Sequence, residues 1–182
     1  MPNTELFIEV LARAELDPDS WQQHYWVSAQ DQTVPTDKMP EYYKHRSVLD
    51  RIRIPQSVLE DITGNICHTA GCIAGLATLL SGAHPLWRPV ADVGDKTVMA
   101  VEDNFVEYQG REHRVDVLAG ELFDIPDDVT DSEPNGLFYE YNSKDDVYHI
   151  GAALFEIDID ELHRRVAERV AELTGQPATV TP

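Results

Sequence analysis

Leu6, Phe7, Val10, Leu11 and Ala14 fall at helical spacing behind Thr4, a residue type suited to cap a helix, and predict a first helix over residues 5–15. Asp17-Pro18 restarts a helical turn that carries Trp21, His24, Tyr25 and Trp26. Residues 29–46 are polar, contain prolines and read as a loop. From Ser47 to Ile62 the apolar positions Val48, Leu49, Ile52, Ile54, Val58, Leu59 and Ile62 are split by Pro55 into two short elements, the second a helix expected to start near Pro55 or Ser57. A nearly uncharged helix is expected from Thr69 to Ser81. Ile73, Leu76, Leu79 and Leu80 form its stripe, and Ala70, Ala74, Gly75 and Ala77 permit close approach. With no polar face to offer water, this helix belongs at the centre, ended by Gly82.

The second half reads differently. Residues 86–96 look irregular. Phe105–Tyr108 and Arg111–Val115 flank Gln109-Gly110 as a small hairpin, and Asp116 is placed to cap a short helix over residues 117–123. Residues 124–146 read as an acidic loop tied to the core by Leu137, Phe138 and Tyr139, and Tyr148–Gly151 as a strand. Asp158 with Glu161 marks a helix start, and Leu162, Val166, Val170 and Leu173 line one face of it before Gly175 and Pro177 stop it. The expected fold is α+β and mainly α: a compact helical domain over residues 1–175 with a small hairpin near 105–115, and a frayed tail at 176–182.

Charge adds a functional dimension. The 182 residues include 33 Asp and Glu against 14 Lys and Arg, a formal charge of -19. Residues 1–90 hold 11 acidic and 7 basic side chains, and residues 91–182 hold 22 and 7. Such a field repels nucleic acid and anionic lipid, and attracts a basic protein. No apolar run approaches the roughly 20 residues of a membrane span, and the N-terminus lacks the basic start of a signal peptide, so a cytoplasmic protein is expected. Asp127, Asp128, Asp131 and Glu133 are the expected contact residues for a basic host protein. They lack the spacing and central glycine of a calcium loop. The scattered glycines offer no phosphate-binding loop, and no cofactor is implied.

The segment from Asn65 to Gly75 carries the remaining candidate chemistry. Cys67 or Cys72, at a helix N-terminus, has the placement of a hydrolase nucleophile, with His149 as its base from a later strand. Cys67, His68 and Cys72 also suit zinc, with His84 or His149 as a fourth ligand, although the spacing is loose and no second ligand pair follows. The structural alternative makes both cysteines reduced core residues, since cysteine behaves as a small hydrophobe. That alternative is the expectation, with no metal site.

Residues Cys67-His68-Thr69-Ala70-Gly71-Cys72-Ile73-Ala74-Gly75-Leu76 resemble the Cys-Gly-Thr-x-x-Cys-x-Ala-Gly-Trp signature of a family of small actinobacterial and actinophage proteins. The family also has a Trp-containing segment upstream, as at Trp21–Trp26. Downstream it has an Ala-x-x-Leu-Gly-Leu helix and a Leu-Phe pair, matched by Ala119-Gly-Glu-Leu-Phe-Asp-Ile125 and Leu137-Phe138. The chain departs at His68, where the family has Gly, and at Leu76, where it has Trp. The resemblance implies a phage or actinobacterial origin and no activity. The function expected is that of an acidic accessory protein binding a basic partner, with DNA mimicry as one version. A cysteine-dependent hydrolase is the alternative.

Overall fold

The computed structural model describes residues 2–16, 31–39, 53–55, 72–126, 136–139 and 142–176. Among them the chain forms helix α1 (Thr4–Leu16), strand β1 (Gln32–Pro35) with a 3-10 turn at Thr36–Lys38, strand β2 (Ile54–Pro55) and helix α2 (Ile73–Leu80). Strands β3 (His84–Val93), β4 (Lys96–Tyr108) and β5 (Arg111–Arg114) follow, then helices α3 (Val115–Phe123), α4 (Lys144–Leu154) and α5 (Ile159–Thr174). The fold is α+β, with an antiparallel sheet ordered β1-β4-β3-β2 and β5 also paired to β4.

The hairpin expected at 105–115 is one corner of this sheet. Gln109 and Gly110 have φ of 52° and 74°, the left-handed pair that a two-residue hairpin turn requires. The sheet departs from expectation at two places. Residues 86–96 are not irregular: most belong to β3, whose prolines misled. Its register on β4 shifts between Pro85 and Trp87 and again between Pro89 and Ala91, so the prolines sit where the ladder is interrupted. Within the expected loop at 29–46, Gln32–Pro35 pairs with Lys96–Met99 instead.

The main core lies chiefly among the helices, against the end of β4. Phe7, Leu11, Ile73, Leu118, Phe123, Phe138, Val147, Phe155, Leu162 and Val166 all belong to it, with Val106 from β4. Val34, Met39, Ile54, Trp87 and Met99 are buried outside that cluster, around the first half of β4.

Helix ends follow from local chemistry. Asn3, not Thr4, caps α1: its Oδ1 accepts from the Leu6 N–H at 3.2 Å. Asn3 also donates through its backbone N–H to the Phe123 carbonyl at 2.7 Å and through Nδ2 to the Leu122 carbonyl at 3.1 Å. One residue thereby satisfies orphan groups at the start of α1 and the end of α3. Helix α3 begins at Val115, before Asp116, which pairs instead with Arg114.

Helix α2 is as central as its composition demands, with Ile73 through Thr78 all buried. It starts behind Cys72 rather than Thr69, which lies outside the described residues. Gly75→Leu should overpack this helix and cost about 1–3 kcal/mol. A thermal melt unchanged by the substitution would contradict the central placement.

Helix α4 replaces the strand expected at Tyr148–Gly151. Ser143 and Asp146 form a reciprocal capping box at its start. The Asp146 carboxylate is held below its usual pKa by hydrogen bonds from the Ser143 side chain and backbone. Helix α5 starts and stops where expected: Asp158 Oδ1 accepts from the N–H groups of Asp160 and Glu161, and Gly175 is left-handed.

Candidate functional site

The described residues on either side of the acidic segment meet at one place in the core. Phe123 closes α3, Asp124 turns the chain in a left-handed conformation, and Ile125 is buried. After the intervening stretch, Leu137 and Phe138 are buried again. The rings of Phe123 and Phe138 lie 6.2 Å apart. The returning end is held by Asn142, whose Nδ2 donates to the Gly136 carbonyl at 2.9 Å and to that of Leu137 at 3.4 Å. Asp127, Asp128, Asp131 and Glu133 lie between these ends, outside the described residues. Leu137 and Phe138 serve as the anchors expected from sequence. Asn142 was missed, because a lone Asn before a cap reads as turn chemistry, and only its 8% exposure reveals a buried strut.

Positive charge among the described residues is largely paired within the chain. Arg165 and Arg169 of α5 reach Glu5 and Glu9 of α1. Burial alone would raise the Glu9 carboxyl, but hydrogen bonds from Arg169 and Arg13 reverse that and hold it below its usual range. Arg164 pairs with Glu161 and Glu168 along α5, and Lys144 with Glu15 at 2.5 Å. Across the sheet, Arg53 pairs with Glu112 and lies 3.8 Å over the Phe105 ring, while Arg88 meets Glu102 at 3.2 Å. These ion pairs join guanidinium groups to carboxylates of the same chain, several of them at exposed positions.

Cys72 immediately precedes α2, where the N–H groups of Gly75 and Ala74 lower its pKa, as a helix N-terminus should. Desolvation outweighs them. The side chain is 1% exposed, and burial pushes the thiol up to about 11. A nucleophile needs thiolate character and access, and Cys72 has neither. His149 lies exposed on helix α4, not on the strand from which the hydrolase alternative has it act as base. Cys67 and His68 lie outside the described residues, as do Trp21, His24, Tyr25 and Trp26. His84 is exposed at the start of β3. Among the described residues no group of three or more His, Cys, Asp and Glu side chains could hold a metal ion, and no helix is long and apolar enough to cross a membrane.

A raised thiol pKa has a direct kinetic consequence. In a Cys67→Ala variant, Cys72 is the only thiol. With its thiol pushed up to about 11 and its sulfur buried, Cys72 should be alkylated in the native protein at pH 8 at least about tenfold more slowly than a free cysteine. The rate should climb as pH approaches 11 and become fast on denaturation. Rapid native alkylation at neutral pH would refute the buried, protonated state.

No protein-family model matches the chain, and neither the curated proteins nor the solved structures include a match.

Proposed function

We propose that the protein is an acidic accessory protein that binds a basic protein partner through its acidic C-terminal half, with Asp127, Asp128, Asp131 and Glu133 as contact residues. The resemblance of residues 67–76 adds an actinobacterial or phage origin to the proposal. The observation that carries it is the anchoring of both ends of the acidic segment, Phe123–Ile125 and Leu137–Phe138, in the main core. Fixed ends lower the entropy lost when a segment is held against a partner. The acidic excess of the whole chain, 33 Asp and Glu against 14 Lys and Arg, supports the same reading, because the net charge sets the surrounding field. A basic partner that normally holds nucleic acid would be competed for by such a surface, which is the DNA-mimic version of the proposal.

The test is kinetic. A partner captured from host lysate and purified should associate fast at low salt and more slowly at high salt. The combined variant Asp127→Asn, Asp128→Asn, Asp131→Asn and Glu133→Gln should slow association by about tenfold at low salt and flatten the salt dependence. Its circular dichroism and melting should match the wild type. An association rate indifferent to both salt and the four substitutions would remove this segment as a binding site.

A further inference from the structure

We draw no further inference here: the strongest candidate, the fully buried indole N–H of Trp87 on β3, has no hydrogen-bond partner among the described residues, and nothing in the structure shows what group would accept from it.

Discussion

Gly151→Ala is expected to destabilise the protein by about 2–3 kcal/mol, the upper part of the range for overpacking a core. A Cβ at this position of α4 would lie 2.1 Å from Cζ and 2.3 Å from Cε1 of Phe7. The ring cannot easily retreat. It is fully buried, stacked on Phe155 at 4.6 Å and set edge-on to Phe123 at 5.9 Å. Against this, alanine is the better helix former by about 1 kcal/mol, so the direction depends on the clash winning. In a chain of this size the melting temperature should fall by about 5–10 °C. A double-mutant cycle separates the two contributions. In a Phe7→Leu background the added methyl meets a smaller side chain, and Gly151→Ala should then cost little or even stabilise. A wild-type melting temperature for Gly151→Ala alone would show that Phe7 moves aside freely.

The same glycine explains why the sequence predicts a strand where α4 forms. Tyr148, Ile150 and Gly151 have poor helix propensity, and the reason for tolerating them is tertiary: Gly151 makes room for Phe7, about 140 positions away in the chain. The local signal was present in Ser143-x-x-Asp146, yet it stood among so many acidic residues that the cap was not distinguishable from loop composition. Helices α2 and α5 were legible because their apolar positions repeat at helical spacing, and α5 has its own cap and stop. Helix α1 was legible for the same reason, but its cap was misplaced by one residue. Asn3 and Thr4 are both good caps, and contacts with α3 favour Asn3. Strand β3 was hidden by Pro85 and Pro89, since register shifts that accommodate proline exist only in a paired sheet. At the candidate site, the anchors Leu137 and Phe138 were readable as apolar residues in an acidic stretch. Asn142 was not, because burial is a property of the folded chain.

Phe123→Ala should cost more still, about 3–5 kcal/mol, since it deletes a fully buried ring that the surrounding backbone cannot collapse to replace. The ring meets Phe7 and Phe155 edge-on, both at 5.9 Å, and Phe138 at a tilt at 6.2 Å. Edge-to-face pairs of this kind contribute about 0.5–1.5 kcal/mol beyond their buried area. The loss is large against the roughly 5–15 kcal/mol by which domains are stable, and the melting temperature of Phe123→Ala should fall by about 6–20 °C. Phe123→Leu keeps most of the apolar volume and should retain the fold at a smaller cost, which keeps the position testable when the alanine variant fails to fold. The leucine variant also separates the anchor from the charge. Its carboxylates are those of the wild type, so long-range steering of a basic partner should keep its salt dependence, while dissociation should quicken if a loosened end weakens the bound state. Chemical denaturation of both variants checks the ranking. An alanine variant within 1 kcal/mol of wild type would mean that the aromatic cluster does not hold α3, α4 and the acidic segment together.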